Sequence, residues 1–174
     1  RRAGKGSAMT PATRSIDLTL ADADATTGLA ARIAPLLRPG DVILLHGPIG
    51  AGKTHFARSV IQARLAALGQ TEDVPSPTFT LIQTYTAGDT EIWHADLYRL
   101  NHADEVAELG LEQAFDDAIC LVEWPDRLGP LRPGRALDLT LTPDPATDMR
   151  KAVLSGDPAH WDRLFAALDG GKDG

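Results

Sequence analysis

Hydrophobic positions change their spacing several times along the first third of the chain. Residues 15–20 alternate apolar and polar side chains, which is typical of a short strand. Apolar residues then recur at helical spacing over 29–37, and Asp22 or Asp24 can cap the helix that they predict. Residues 42–45 form a continuous apolar run, which predicts a strand buried on both faces.

Similar patterns continue through the rest of the chain. Residues 53–68 predict a helix with Leu68 among its inward side chains, and 118–122 predict a second buried strand that ends at Glu123. The other predicted elements are strands at 79–86 and 91–96 joined by a turn at 87–89, a short helix at 104–109, closing strands at 137–141 and 151–154, and a C-terminal helix around 161–168. This order predicts an α/β fold whose central parallel sheet is extended by antiparallel edge strands.

Length and composition limit the classes of protein that need to be considered. The 174 residues suit one domain, expected at 13–168, with a disordered lead-in at 1–12 and a loose tail at 169–174. Acidic residues outnumber basic ones 24 to 17, so no stable direct grip on nucleic acid is expected. No apolar run is long enough to span a membrane. The single cysteine, Cys120, has apolar neighbours and is expected in the core of a cytoplasmic protein.

A glycine-rich segment follows the first buried strand. It matches the pattern G-x-x-x-x-G-K-[ST] in full, with Gly47, Pro48, Ile49, Gly50, Ala51, Gly52, Lys53 and Thr54. Glycines allow successive backbone N–H groups to turn toward one anion, and the helix that begins there adds its positive end. Lys53 would reach the β- and γ-phosphates, and Thr54 would offer its hydroxyl to Mg²⁺. The segment predicts a nucleotide-binding P-loop and a three-layer P-loop NTPase fold.

Two carboxylates lie where predicted strands end. Glu123 follows the apolar strand at 118–122, and Asp96 ends the strand at 91–96. Either could hold Mg²⁺ through water or orient an attacking water. Each could also be an ordinary solvated carboxylate, but ligands in such folds bind at the carboxyl ends of strands. Both are therefore candidates for metal and catalytic chemistry.

Weaker features surround these candidates. The loop at 75–80 carries the hydroxyls of Ser76, Thr78 and Thr80, which could sense a γ-phosphate or could belong to a simple turn. His94 could line the site or could pack in the core. The arginines Arg127, Arg132 and Arg135 could close over phosphate, although a solvated loop is the simpler interpretation.

Taken together, the motifs resemble the TsaE family, bacterial ATPases needed to make threonylcarbamoyladenosine at position 37 of tRNAs. The resemblance extends over about 18–142. It rests on the P-loop, on Ser76-Pro77-Thr78-Phe79-Thr80-Leu81, on His94-Ala95-Asp96-Leu97-Tyr98-Arg99-Leu100, on Glu108-Leu109-Gly110 and on Leu121-Val122-Glu123-Trp124-Pro125. The P-loop alone is generic, whereas the ordered set is specific.

The resemblance implies ATP hydrolysis with Mg²⁺ in partnership with TsaD and TsaB, which carry out the threonylcarbamoyl transfer and would hold the tRNA. Carried over by position, Thr54 and Glu123 would bind the metal, and Lys53 and Asp96 would act in catalysis. Thr78 would belong to a switch loop that approaches the nucleotide. The start of the first helix, including Thr26, would lie near the adenine.

His55 departs from the family pattern, which usually has a small hydroxyl residue there, and Ala95 stands where the family usually has an aromatic residue. His55 follows the predicted metal ligand directly and could alter nucleotide affinity.

Other classes of protein compete with this interpretation. A small-molecule kinase could use the same P-loop, with the three arginines as its only hint of a phosphate-clamping lid. A regulatory GTPase would need an N-K-x-D-type guanine reader, which the sequence lacks. A nucleotide-dependent scaffold that does not hydrolyse ATP is a third possibility.

Overall fold

A computed structural model describes residues 13–70, 74, 81–102 and 104–172. Its strands are β1 Arg14–Leu20, β2 Val42–His46, β3 Ile82–Ala87, β4 Thr90–Asp96, β5 Ile119–Glu123, β6 Leu137–Pro143 and β7 Arg150–Gly156. Its α-helices are α1 Ala23–Ile33, α2 Lys53–Ala66, α3 Asp104–Glu108, α4 Leu111–Asp117 and α5 Pro158–Lys172. Short 3₁₀ helices cover Ala34–Leu36 and Pro125–Leu131.

All seven strands form one sheet in the order β1-β7-β6-β2-β5-β4-β3. Neighbours among the four inner strands, β6, β2, β5 and β4, run parallel to each other. The outer pairs β3–β4, β6–β7 and β1–β7 are antiparallel. The predicted α/β fold, with a parallel centre and antiparallel edges, is confirmed. Because β2, β4 and β5 are parallel, their carboxyl ends meet at one edge of the sheet.

Two apolar clusters cover the two faces of the sheet and give three layers. Ile43 and Leu45 of β2 face the cluster that contains α1, α2 and α5. Val42 and Leu44 face the cluster that contains α3 and α4. The four apolar side chains of β2 are all fully buried, which explains the unbroken apolar run in the sequence. Truncating such a leucine to alanine typically costs about 2–5 kcal/mol of stability, so β2 is a rigid support for the loop that follows it.

Several local predictions are confirmed. Asp22 caps α1, because its side chain accepts a hydrogen bond from the Ala25 N–H at 3.0 Å. Gly88 and Asp89 form the two-residue turn between β3 and β4, and Gly88 has the positive φ of 66° that such turns favour. Cys120 is fully buried, and burial raises the pKa of its thiol to about 12.

Other local predictions are wrong about where helices end or omit a helix. Leu68 is 53% exposed because α2 ends at Ala66, where i→i+3 bonds tighten the chain before Gly69 at φ 72°. Helix α4 was not predicted. Helix α5 continues to Lys172 instead of loosening after Leu168, although glycines at 170 and 171 disfavour a helix there.

Two predicted segments cannot be compared with the structure. The lead-in at 1–12 and the first residues of the strand predicted at 79–86 lie outside the described residues. Among the described residues, no helix combines the length and the apolar character that crossing a bilayer requires.

Candidate functional site

The P-loop, residues 47–54, connects the buried strand β2 to helix α2. Gly47 has φ 142°, and a Cβ atom there would lie 2.5 Å from the Leu141 carbonyl oxygen, so only glycine fits against the end of β6. Gly52 has φ 102° and immediately precedes the first residue of α2, Lys53. The loop thus bends sharply on a rigid strand and leads into the amino-terminal end of a long helix, where anions bind favourably.

An open cavity of about 360 Å³ lies in front of the P-loop. It lies at the edge of the sheet where β2, β4 and β5 end. Its lining residues are Ile49, Gly50, Gly52, Lys53, Thr54, His55, Asp96, Tyr98, Glu123 and Trp124. The structure therefore brings five of the eight predicted phosphate-loop residues and both predicted carboxylates into one site, whereas Gly47, Pro48 and Ala51 are not among the lining residues.

Thr54 and Glu123 are in direct contact within this site. The Thr54 hydroxyl lies 2.8 Å from both carboxylate oxygens of Glu123 and donates to them. Glu123 is only 2% exposed, and its Oε2 also lies 2.7 Å from Nε2 of His94. A hydroxyl and a buried carboxylate that converge on one point supply the hard oxygen atoms that Mg²⁺ prefers.

The described residues contain no group of three or more His, Cys, Asp or Glu side chains that could hold a metal ion by themselves. Mg²⁺ in nucleotide sites commonly uses one or two protein oxygens, with phosphates and water completing its octahedron. The Thr54–Glu123 pair fits that kind of site and does not fit a cage made only of protein ligands.

Asp96 lies beside Glu123 because the two residues are paired in register between β4 and β5. Burial raises the pKa of Asp96 above its ordinary value, and the negative charge of Glu123 adds to the rise. The Tyr98 N–H, which donates to the Asp96 carboxylate at 3.1 Å, opposes the shift, as do His94 and Lys53. Two neighbouring carboxylates at the end of a parallel sheet would both be stabilised by a cation between them and a ligand.

Lys53 is 5% exposed, and its ammonium turns back onto its own loop. It donates to the Gly47 carbonyl, lies 3.4 Å from the Pro48 carbonyl oxygen, and lies 3.7 Å from the centroid of the Trp124 ring. Burial lowers the pKa of Lys53, and the nearby carboxylates counteract only part of this effect. Among the described residues no carboxylate forms an ion pair with this ammonium, so a phosphate group would be a better partner than the neutral groups it contacts.

Trp124 has an uncommon backbone conformation, with φ 57° and ψ 54°. Among the described residues it is the only non-glycine residue with a positive φ. Its ring also packs against Tyr98, with the centroids 4.9 Å apart. A left-handed conformation costs such a residue roughly 1–3 kcal/mol and is most frequent at functional sites. Sequence reasoning gave Trp124 and Tyr98 no role of their own, although both stand inside the quoted motifs.

Of the remaining predicted site residues, one lines the cavity, one does not, and one lies outside the described residues. His55 lines the cavity, and its Nε2 lies 2.8 Å from the Thr27 hydroxyl and 3.2 Å from the Ala23 carbonyl oxygen. Thr26 is fully buried and is not among the cavity-lining residues, so its predicted place near the adenine stays a prediction. Thr78 and the rest of its loop, 75–80, lie outside the described residues.

The three arginines form other contacts and do not line the cavity. Arg132 forms two hydrogen bonds with Asp138, at 3.0 and 2.6 Å. Arg135 donates to the carbonyls of Gly40 and Phe115 at the other end of β2. Arg127 donates to the Tyr98 carbonyl at 3.3 Å. None of the three is among the residues that line the cavity.

Comparison with known proteins identifies relatives of this chain. It is 43% identical over 106 residues to the tRNA threonylcarbamoyladenosine biosynthesis protein TsaE of Rickettsia conorii, covering 61% of this chain and 59% of that protein. It is 39% identical over 128 residues to the TsaE of a Nostoc species, covering 71% and 75%. The crystal structure of Bacillus subtilis YdiB superposes with a TM-score of 0.75 at 26% identity, covering 94% of this chain and 99% of that one.

The matched region spans about three-fifths of the Rickettsia conorii protein and 60% of the Bacillus subtilis TsaE, to which the chain is 42% identical over 100 residues. The family model described as "Threonylcarbamoyl adenosine biosynthesis protein TsaE" matches residues 20–152, which include the P-loop, Asp96 and Glu123. The chain therefore belongs to the TsaE family.

Proposed function

We propose that this protein binds and hydrolyses Mg-ATP in support of threonylcarbamoyl transfer to adenosine 37 of tRNA. The observation that carries the proposal is the contact between Thr54 of the P-loop and the buried Glu123, at 2.8 Å. A phosphate loop alone would explain nucleotide binding. A hydroxyl and a buried carboxylate placed together in front of it also provide for a metal-bound triphosphate. The names of the relatives support the assignment to tRNA modification.

Each residue of the site has a defined task in this reaction. The backbone N–H groups of the P-loop would surround the β-phosphate, and the ammonium of Lys53 would leave the Gly47 carbonyl for the β- and γ-phosphates. Thr54 and Glu123 would hold Mg²⁺, which supplies charge neutralisation on the phosphate oxygens when bound. Asp96, half-buried beside Glu123, would orient the attacking water.

Partner proteins of the TsaD and TsaB type would carry out the transfer and would hold the tRNA. The net charge of −7 agrees with this division, because an acidic protein has little electrostatic affinity for a polyanion. Ile49 and Tyr98, at the rim of the cavity, are 73% and 47% exposed. Exposed side chains at the rim of the site suit an ATPase whose turnover depends on contact with a partner. The reducing cytoplasm suits a chain with a single, buried thiol.

A small-molecule kinase is the main alternative that uses the same P-loop. Such an enzyme needs cationic side chains that clamp the transferred phosphate, and the three arginines were its only candidates. Arg132 and Arg135 instead form structural contacts with Asp138 and with backbone carbonyls. Incubation with ATP and candidate acceptors tests this alternative, because a phosphorylated product with little free phosphate would contradict hydrolysis.

Glu123→Ala is the direct test of the metal site. We expect it to reduce Mg²⁺-dependent release of phosphate from ATP by about 100-fold or more, while nucleotide binding in EDTA changes little. Glu112→Ala is the matched control, because Glu112 is an exposed carboxylate on α4, away from the P-loop. Normal hydrolysis by Glu123→Ala would refute the assignment of Glu123.

The partnership is tested by measuring phosphate release with and without purified TsaD and TsaB. We expect the two proteins together to accelerate turnover, and we expect tRNA to bind the assembly and not this chain alone. A rate that is independent of the partners, together with tight tRNA binding by the isolated chain, would contradict this part of the proposal.

A further inference from the structure

His94 lies on β4, two residues before Asp96, and is fully buried. Its Nε2 lies 2.7 Å from Oε2 of Glu123, and this is the shortest contact recorded for that carboxylate. The residue does not line the cavity itself. Among the described residues, the hydrogen bond to Glu123 is the contact that joins His94 to the lining of the site.

The donor in this contact follows from the proposed metal site. A carboxylate that holds a metal ion is ionised and only accepts hydrogen bonds, so in that state Nε2 of His94 would carry the hydrogen and donate it to Oε2. The other ring nitrogen, Nδ1, is also buried and has no hydrogen-bond partner among the described residues. Leaving a buried polar atom unpaired costs about 1–3 kcal/mol, which an apolar side chain at this position would avoid. The retained polarity is therefore used at Nε2.

The two donors to Glu123 come from different kinds of element. Thr54 belongs to the first turn of α2 and would engage the metal and the phosphates directly. His94 belongs to an inner strand of the sheet and is held between β3 and β5. Because the glutamate side chain has several rotatable bonds, a donor fixed to the sheet holds its carboxylate in place when Thr54 turns to a ligand.

We propose that His94 is a positioning residue that orients the carboxylate of Glu123 for the metal of the nucleotide site. The proposal rests on the proposed function, in which Glu123 holds Mg²⁺. It predicts that the position requires a hydrogen-bond donor at the place of Nε2, and that a side chain of similar size without that donor is insufficient.

The test compares three substitutions. His94→Gln can place an amide N–H close to the position of Nε2, His94→Asn places its amide nearer to Nδ1, and His94→Leu removes the donor altogether. For each variant, the affinity for a fluorescent ATP analogue is measured in EDTA and at increasing Mg²⁺, and thermal unfolding is followed in parallel. Binding of Mn²⁺ in the presence of the analogue, followed by electron paramagnetic resonance, gives a second readout that does not depend on turnover.

We expect His94→Asn and His94→Leu to raise the Mg²⁺ and Mn²⁺ half-saturation concentrations by about 10-fold or more, the usual effect of losing a hydrogen bond to a metal ligand. Affinity in EDTA should stay within about threefold of the unmodified protein, and His94→Gln should restore most of the metal dependence. The two variants that lack a donor at the place of Nε2, His94→Asn and His94→Leu, are independent, so either one answers the question if the other does not fold.

A purely structural role for His94 predicts a different result. The melting temperature would then fall in all three variants while their metal half-saturation stays unchanged, and this would overturn the proposal. Glu123→Ala distinguishes a failure of the positioning role of His94 from a failure of the proposed metal site. If it loses metal dependence and the His94 variants do not, only the positioning role fails. If Glu123→Ala keeps metal dependence, the proposed metal site fails and the role of His94 fails with it.

Discussion

The central strand β2 has a group of charged side chains at each of its ends, and the two groups differ in how well they are satisfied. Asp41 immediately precedes β2 and is 3% exposed. Its carboxylate accepts from the Arg38 N–H at 2.8 Å, from Arg163 at 2.7 Å and from His160 at 2.9 Å. Arg163 in turn donates to the carbonyls of Leu36 and His160. The charges of Asp41 and Arg163 therefore face each other and further hydrogen-bond partners.

Counting only the residues that the structure describes, the charges in the group at the other end have fewer partners of opposite charge. Lys53 contacts carbonyls and an aromatic ring, and the pKa of Asp96 is raised by burial and by Glu123. Trp124 adds a strained backbone beside them. A network that is complete without a ligand stabilises the fold, whereas one that keeps unbalanced charges is stabilised when a ligand binds. The comparison therefore separates structural from functional charges in the same protein.

The largest effect is expected at the structural end. Asp41→Ala should lower the free energy of unfolding by about 3–5 kcal/mol, because it leaves Arg163 and His160 without their buried partner. Chemical denaturation measures the loss, and the nucleotide affinity of the folded fraction should not change. Asp162→Ala is the matched control, since Asp162 is exposed on the same helix as Arg163. Equal losses in the two variants would contradict the structural assignment of Asp41.

The next effect is expected at the functional end. If the proposed function holds, Lys53→Ala should weaken ATP binding by about 100-fold, or about 2.7 kcal/mol, because it removes the charge that would face the β- and γ-phosphates. Thermal stability should change little, since the ammonium contacts two neutral carbonyls and the Trp124 ring and forms no ion pair with any residue that the structure describes. Calorimetric titration and a melting curve measure both quantities. Lys151→Ala removes a surface lysine paired with Asp17, and it should leave the affinity unchanged.

The smallest effect concerns Asp96. Its raised pKa means that the ionised carboxylate costs stability at neutral pH, and that this cost disappears as the pH falls through the folded pKa toward the unfolded value. Asp96→Asn should therefore raise the melting temperature of the nucleotide-free protein by about 1–3 °C at pH 7. The gain should shrink as the pH approaches about 4. A lower melting temperature at pH 7 would contradict the raised pKa.

The pKa of Asp138 is shifted in the opposite direction to that of Asp96. Burial alone would raise its pKa, but hydrogen bonds from His46 and Arg132 hold the pKa below its ordinary value. Its contribution to stability is present above the unfolded pKa and is lost as the pH falls through the folded value. Asp138→Asn should lower the melting temperature at pH 7, and the loss should shrink in acid. If Asp96→Asn and Asp138→Asn changed the melting temperature at pH 7 in the same direction, the opposite pKa shifts of the two carboxyl groups would be refuted.

Much of the fold follows from local patterns. The apolar run of β2 specifies a strand buried on both faces, and Gly47, Gly52, Lys53 and Thr54 specify the loop that follows it. These features depend on a few neighbouring residues, so they can be predicted from the sequence. The limits of elements are less local. Helix α2 ends at Ala66 because its last turn tightens before Gly69, and this happens in spite of the apolar residue at position 68.

In the candidate site, too, some features follow from local sequence and others depend on the tertiary structure. The sequence by itself determined the phosphate loop, the two strand-end carboxylates and the family, because each rests on residue types at short, fixed spacings. Only the tertiary structure decided that Glu123 accepts from both Thr54 and His94, which are 69 and 29 residues away along the chain. It also decided that Arg135 serves the opposite end of β2. Side-chain partnerships depend on which strands are neighbours and in which register, and that is settled when the whole sheet assembles.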